Sequence, residues 1–253
     1  MDDLQNNSSA SPKINQVSLI VWVPILLGIF VLGAYFRFVG LNWDESQHLH
    51  PDERFLTMVE SALTPVKSLD DFFNTSKSTL NPQNVGYGFF VYGTLPIFMV
   101  RYAAEWLDKA AYDEVFLLGR SFSGALDLLT VLFVFLIAER LFRKRWKPRA
   151  LRGLSLLAAA FYACAVLPIQ LSHFFAVDTF TNAFSLLAIY FAVVIMTDGP
   201  APIHKLLCAS PSVIFTRRWL SVLPYLGFGI AYGMALASKV SILPLAAILP
   251  FAA

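Results

Sequence analysis

Long apolar runs alternate with short polar segments along most of this chain. A helix needs about 20 mostly apolar residues to cross a bilayer. Four runs of about that length contain no Asp, Glu, Lys or Arg: Val17–Phe36, Gly153–Phe175, Thr179–Thr197 and Trp219–Ser238. A fifth run, Leu117–Ala138, also qualifies although it holds Arg120 and Asp127. The pattern therefore predicts a series of membrane-spanning helices.

We expect an all-α, polytopic transmembrane protein with spans near residues 17–38, 117–141, 153–173, 179–197, 219–238 and 240–253. Composition supports this, because 57% of the residues are hydrophobic and 14% are charged, whereas soluble domains average about 25% charged residues. The polar residues 1–16 predict a disordered cytoplasmic tail. Because the sequence stops inside an apolar run, we expect residues 17–253 to be the N-terminal part of a longer transmembrane domain.

Charge placement predicts how the helices are oriented. Seven Lys/Arg residues and no acid lie between Arg140 and Arg152, and basic loops of this kind stay cytoplasmic. Residues 42–116 contain eleven acids and five bases, as expected of an external loop. Both assignments hold together if the short, Gly- and Pro-containing run Val85–Val100 does not cross the membrane. We expect it to be a re-entrant or interfacial segment of a long first external loop.

The sequence His50-Pro51-Asp52-Glu53-Arg54-Phe55 follows the first apolar run closely. Ionisable groups near lipid are costly, so a cluster of them at a membrane boundary indicates a functional site. Adjacent carboxylates suit general-base chemistry, and the simpler alternative is a pair of loop acids bound to nearby arginines. A second pair, Asp44 and Glu45, competes for the same role, and spacing alone does not choose between the pairs.

The predicted topology brings Asp178 and Lys239 to the same face as Asp52. Asp178 is either a helix cap or a second carboxylate of the site, and Lys239 either extends to the interface or contacts a phosphate. A divalent metal held by His50, Asp52 and Asp178 is a further alternative, with His173 as an additional donor, but nothing in the spacing requires a metal.

Other polar residues have simpler interpretations. Arg120 and Asp127 lie seven residues apart on one helix face; we expect Asp127 to pair structurally and Arg120 to help bind an anionic substrate. Cys164 and Cys208 give no disulfide framework. The net charge of +2 is small and the bases are clustered, so no nucleic-acid partner is expected.

Five motifs occur in an order that resembles a known enzyme superfamily. They are Tyr35-Phe36-Arg37-Phe38 with His50-Pro51-Asp52-Glu53, then Tyr92-Gly93-Thr94-Leu95-Pro96, Gly119-Arg120-Ser121, Leu171-Ser172-His173 with Asp178, and the glycine-containing stretch from Gly229 to Lys239. In this order the chain resembles the GT-C membrane glycosyltransferases, particularly the phospholipid-carrier-dependent enzymes related to protein O-mannosyltransferases and aminoarabinose transferases. The resemblance extends over nearly the whole chain from Val17.

The resemblance implies a GT-C-like helical fold, a long first extracytoplasmic loop with interfacial helices, and a polyprenyl-phosphate sugar as donor. It makes Asp52 the general base with Glu53 beside it, Asp178 the second external acid, and Lys239 the lysine near the donor phosphate. His173 stands where many relatives have arginine, which makes it a candidate contact for the donor phosphate. We expect a multi-pass protein of a prokaryotic plasma membrane, with its active face extracytoplasmic and its acceptor unknown.

Such a transfer requires few catalytic side chains. An acceptor hydroxyl needs a base, and a phosphate leaving group departs without the strong acid that glycoside hydrolases use. One carboxylate with cations on the phosphate is therefore sufficient. A transporter or flippase for a lipid-linked sugar is the alternative, although no clear internal repeat supports it.

Overall fold

The computed structural model describes residues 16–198 and 211–252, and this part of the chain is helical with no strand. The α-helices are α1 Gln16–Phe38, α2 Pro51–Ala62, α3 Leu69–Phe73, α4 Leu95–Trp106, α5 Tyr112–Leu141, α6 Pro148–Ala163, α7 Val166–Ser172, α8 Val177–Asp198, α9 Pro211–Ser238 and α10 Ile248–Ala252. The described residues also contain two 3-10 helices, Pro82–Val85 and Val240–Ala247. The predicted tail and the loop before α9 lie largely outside the described residues.

Three helices are long and apolar enough to cross a membrane: Val21–Phe38 within α1, α5, and α8. The pair α6 and α7 makes a fourth if the two are one span, bent by 53°. The all-helical, membrane-spanning class expected from the pattern is confirmed to this extent. Val222–Ser238 and Val240–Ala252 are shorter apolar helices, so the spans near 219–238 and 240–253 stay predictions.

The span predicted near 153–173 consists of two helices, α6 and α7, separated by a break after Ala163. Pro168 explains the position of the break. Proline has no N–H to donate and its ring clashes with the carbonyl four residues earlier, which here belongs to Cys164. The chain leaves helical geometry at Cys164 and Ala165 and starts again at Val166.

The long helices form one bundle. Helix α8 packs between α5 and α9, and α5 also packs against α1 and α6. The C-termini of α1 and α9 lie with the N-termini of α5 and α8, and we call this the site end of the bundle. The C-termini of α5 and α8 lie at the opposite end, where Arg140 and Arg143 pair with Asp198.

The segment between α1 and α5 covers the site end. Helix α2 begins where His50 Nδ1 accepts the backbone N–H of Glu53 at 3.3 Å, and Pro51 occupies the first turn, a position that suits proline. Asp52 and Glu53 lie in that same turn, where the positive end of the helix dipole stabilises carboxylates. The sequence thus fixes the start of α2 locally.

Buried apolar residues from α2, α4, α5 and α8 join in one core at this end. Its fully buried members include Leu56, Val59, Ile97, Val100 and Phe180. Helix α4 has twelve residues and is about 18 Å long, shorter than the roughly 30 Å hydrocarbon core of a bilayer. The run Val85–Val100 therefore ends inside α4 and forms the first half of that helix, which packs on α2 and α5. The depth of this run in a membrane stays a prediction.

Candidate functional site

Arg120 is the centre of the polar structure at the site end. Its side chain is fully buried in α5, and all five of its N–H groups have acceptors. Nε and Nη2 donate to the two carboxylate oxygens of Glu53 at 2.7 Å; Nη1 and Nη2 donate to Asp44 at 3.0 and 2.9 Å; Nη1 also donates to the Leu41 carbonyl at 2.6 Å. A guanidinium has no further donors.

Aromatic and backbone groups complete the surroundings of this ion triad. The guanidinium lies 5.5 Å from the Trp43 ring centroid and 4.8 Å from that of Phe116, distances at which cation–π attraction acts. The Phe175 N–H donates to Glu53 at 2.9 Å, and Phe175 packs so tightly on Gly119 that a Cβ there would lie 2.3 Å from the ring. The triad therefore joins α2 to α5 and to the turn before α8.

The triad changes what Glu53 and Asp44 can do. Burial acts to raise the pKa of Asp44, but hydrogen bonds from Arg120 and the Leu49 amide, with the charge of Arg120, bring it below its ordinary value. Glu53 is fully buried and both its oxygens are occupied. Neither carboxylate is open to an incoming hydroxyl, and Arg120 has no N–H left for a phosphate.

Asp52 is the exposed member of the predicted pair. Tyr92 lies in the irregular segment before α4, near enough to Asp52 for the two side chains to interact. Burial, followed by the interaction with Asp52, raises the pKa of Tyr92, and the charge of Asp178 adds to the effect. Asp52 is therefore an accessible carboxylate near a neutral phenol, with Asp178 near enough to act on the same group.

Asp178 and Lys239 form an ion pair at the site end. Lys239 Nζ donates to Asp178 Oδ1 at 2.7 Å. The Lys239 side chain is 38% exposed and the Asp178 side chain is 43% exposed. An ammonium has three donors, so the contact with Asp178 leaves others for a ligand. The expectation that the turn before α8 and the end of α9 meet is thus confirmed by a direct contact.

A backbone contact connects this pair to the Asp52 side of the site. The Gly93 N–H donates to the Ser238 carbonyl at 3.0 Å, one residue from each of Tyr92 and Lys239. A Cβ at Gly93 would lie 2.0 Å from the Ala237 carbonyl oxygen. Only glycine permits this approach, and we call the contact the Gly93–Ser238 clasp.

The two predicted histidines have structural contacts. His50 caps α2 and stacks on Phe174, with ring centroids 4.2 Å apart. His173 places Nδ1 2.8 Å from the Ile169 carbonyl and Nε2 3.0 Å from the Val39 carbonyl. Both nitrogens of His173 thus face backbone acceptors, which leaves neither for a metal or a donor phosphate.

No group of three His, Cys, Asp or Glu side chains converges within residues 16–198 and 211–252. The alternative with His50, Asp52 and Asp178 around a metal therefore has no assembled ligand set in the described chain. His50 Nδ1 already accepts a hydrogen bond from the Glu53 amide, so only Nε2 of His50 could bind a metal.

A second buried ion pair lies nearer the centre of the bundle. Arg37 Nε donates to Asp127 Oδ2 at 2.7 Å, and the Tyr162 hydroxyl donates to Asp127 Oδ1 at 2.6 Å. Arg37 also donates to the carbonyls of Gly33 and Ala163 at 3.0 Å. The expected structural role of Asp127 is confirmed, and the pair ties α1 to α5 and α6.

Sequence reasoning missed the parts played by Tyr92 and Gly93. Both belong to the motif Tyr92-Gly93-Thr94-Leu95-Pro96, so the signal was present, but nothing in the spacing shows that this motif touches Asp52 and Ser238. The link between Asp44 and Glu53 through Arg120 was also missed, since the two acids were weighed as rivals.

No protein-family model, curated protein or solved structure matches this chain.

Proposed function

We propose that the protein transfers a sugar from a polyprenyl-phosphate donor to an acceptor hydroxyl at the extracytoplasmic membrane face. The observation that carries the proposal is the accessible Asp52 carboxylate, held at the same end of the bundle as the half-exposed Lys239. A base and a phosphate-binding cation on one face are the minimal set for this chemistry.

In this reaction Asp52 removes the proton of the acceptor hydroxyl while the oxygen attacks the anomeric carbon. The new carbon–oxygen bond forms as the bond from the anomeric carbon to the phosphate oxygen breaks, and the phosphate keeps the electron pair. Lys239 stabilises the leaving phosphate through the donors that Asp178 does not use. The Tyr92 hydroxyl orients Asp52, and the Arg120 triad fixes the helix that carries it.

The geometry favours Asp52 over the other acids considered. Glu53 and Asp44 are both held by hydrogen bonds from a fully hydrogen-bonded Arg120, and breaking a buried pair of this kind is costly. Glu45 is exposed but has no described contact with the site. We therefore assign Glu53 and Arg120 to positioning and Asp52 to proton transfer.

The test is the Asp52→Asn variant of the full chain, assayed for radiolabelled transfer from a panel of polyprenyl-phosphate sugars. Removing a general base costs about 10²- to 10⁴-fold in rate, so we expect a loss of at least that lower size. Membrane insertion and thermal stability should not change, because Asp52 is exposed. Glu45→Gln is the matched control and should keep full activity.

Unchanged transfer by Asp52→Asn would overturn the assignment. Repeating the assay with a chelator reports whether a divalent metal takes part.

One observation favours the alternative of a flippase for a lipid-linked sugar. Helices α6 and α7 are bent by 53° at a short break, as in a broken span or a re-entrant loop, and broken helices are frequent in transporters. Vesicles containing the protein and a fluorescent polyprenyl-phosphate sugar distinguish the two functions. Movement of the lipid across the bilayer, without transfer to any acceptor, would favour the flippase.

A further inference from the structure

Two cavities lie side by side in the segment between α2 and α4. Each has a volume of about 300 Å³. The first, here called the lysine cavity, is lined by Thr64, Lys67, Asn74, Lys77 and Thr79, among others. The second, here called the aromatic cavity, is lined by Phe72, Phe73, Phe98 and Thr94, among others. Ser78 lines both, so the two cavities are neighbours.

The lysine cavity is a basic spot in an acidic segment. Residues 42–116 carry eleven acids and five bases, and Lys67 and Lys77 are two of those five. Within the described residues neither lysine forms an ion pair. Asp71 also lines the cavity, but one of its oxygens accepts the Ser68 hydroxyl at 2.7 Å. An anionic group would therefore find a net positive charge and several hydroxyl and amide partners here.

The aromatic cavity offers exposed ring surface with polar groups at its edge. Phe72 packs edge-on against both Phe73 and Phe98, while 74% of Phe73 remains exposed. Thr94 and Asn81 contribute polar atoms beside the rings. Ring faces with hydroxyl and amide groups at their margin suit a pyranose, which presents C–H groups on its faces and hydroxyls at its edge.

Both cavities are connected to Asp52 through the chain. Thr94 is two residues from Tyr92, whose hydroxyl is affected by the charge of Asp52. At the other end, Thr64 follows α2 by two residues, and α2 begins with Pro51 and Asp52. Twelve helical residues span about 18 Å, so the lysine cavity is roughly that far from Asp52.

We infer that these cavities form an acceptor groove for an anionic glycan. Its sugar rings lie on Phe72, Phe73 and Phe98, an acidic substituent lies at Lys67 and Lys77, and the hydroxyl that receives the new sugar reaches Asp52. The inference rests on the proposed function for its last step, whereas binding of the glycan in the groove does not depend on transfer.

Titration calorimetry on the full chain tests the groove, in a detergent without a sugar head group. Hexagalacturonate is the anionic probe, maltohexaose the neutral one and hexaglutamate the acidic peptide. We expect hexagalacturonate to bind and each of the other two to bind at least about tenfold more weakly, as the loss of charged contacts or of ring contacts implies.

Two variants locate the binding. The double variant Lys67→Gln/Lys77→Gln and the variant Phe73→Ala should each weaken hexagalacturonate binding by about tenfold, without loss of thermal stability because these side chains are exposed. Lys109→Gln, an exposed lysine of the same segment outside the cavities, should bind as the wild type does.

Equal binding by wild type and the double lysine variant would overturn the groove, and so would hexaglutamate binding as tightly as hexagalacturonate. The calorimetry contains no sugar donor and measures glycan binding alone, whereas the transfer assay measures the reaction. If the proposed transferase function is wrong, only the transfer assay therefore gives a negative result. If the proposed groove is wrong, the calorimetry gives the negative result.

Discussion

Glu60 lies in an environment that disfavours its charged form. It is fully buried in α2, and neither carboxylate oxygen has a hydrogen-bond partner. Burial raises the pKa of Glu60 to about 8; the charge of Arg101 opposes this shift and that of Glu105 adds to it. Arg101 and Glu105, both on α4, pair with each other at 2.8 Å. Glu60 is therefore protonated in the folded protein at neutral pH.

This raised pKa predicts a pH-dependent stability. Between about 4.5 and about 8 the folded protein holds a proton on Glu60 that the unfolded chain has released. The free energy of unfolding should therefore fall as pH rises through this range, by at most about 1.4 kcal/mol per pH unit. Above the folded pKa this contribution stays constant. Glu60→Gln, which cannot ionise, should remove the dependence.

Thermal unfolding of both proteins in detergent, from pH 5 to pH 9, measures the effect. The Tm of Glu60→Gln should increasingly exceed that of the wild type as pH rises. Asp70→Asn, which removes an exposed acid of the same segment, should follow the wild type. Parallel curves for wild type and Glu60→Gln would contradict the prediction.

Arg120 shows what residue types alone can predict and what they cannot. From the sequence, Arg120 is expected near the site end. Because no partner for it is apparent in the sequence, the expected role is to bind an anionic ligand. Its actual acceptors, Leu41, Asp44 and Glu53, lie 67 to 79 residues away in the chain. No local spacing encodes such a pairing. The family resemblance had named Asp52 as the base, and the physical reason to prefer it, a buried Glu53 beside an exposed Asp52, comes from the folded arrangement.

Elements whose cause is local were predictable. The start of α2 follows from Pro51 and two acids in the first turn, and α5 and α8 follow from long apolar runs. The break between α6 and α7 was missed because Pro168 lies in an apolar run that looks continuous by hydropathy. Hydropathy measures the cost of leaving water, whereas the break arises from a missing N–H and a ring clash.

The Gly93–Ser238 clasp predicts the effect of a single methyl group. In Gly93→Ala the new Cβ would meet the Ala237 carbonyl oxygen at 2.0 Å and backbone carbon of Ser238 at 2.5 Å. Backbone atoms at the end of a helix cannot yield as a flexible side chain does, so the segment carrying Tyr92 must move away from Lys239. Overpacking of this kind costs about 1–3 kcal/mol.

We expect Gly93→Ala to lower the Tm and to raise the KM for the polyprenyl-phosphate donor, because Lys239 follows the clasped residue. Steady-state kinetics at varied donor concentration, together with thermal unfolding, measure both effects. Gly88→Ala is the matched control, since a Cβ at Gly88 meets nothing within 4 Å. Equal behaviour of the two variants would show that the clasp does not hold the site.

Across the whole molecule, charge is separated between the two ends of the bundle. Asp52, Asp178 and Lys239 lie at the site end, whereas Arg140 and Arg143 pair with Asp198 at the other. Helix α5 connects the ends with 30 residues, about 45 Å, which exceeds a hydrocarbon core of about 30 Å. The chain returns from α1 to α5 at the same end, as a non-crossing Val85–Val100 requires.

This separation predicts opposite accessibility on the two sides of the membrane. Single cysteines introduced as Ser76→Cys in the segment after α3 and Lys147→Cys in the basic loop, on a background with Cys164→Ser and Cys208→Ser, report each side. Both positions are exposed. Because basic loops are retained in the cytoplasm, a membrane-impermeant maleimide should label Ser76→Cys in intact cells and Lys147→Cys only after permeabilisation. Labelling of Lys147→Cys in intact cells would invert the molecule and place Asp52 and Lys239 in the cytoplasm, where an extracytoplasmic transferase could not use them.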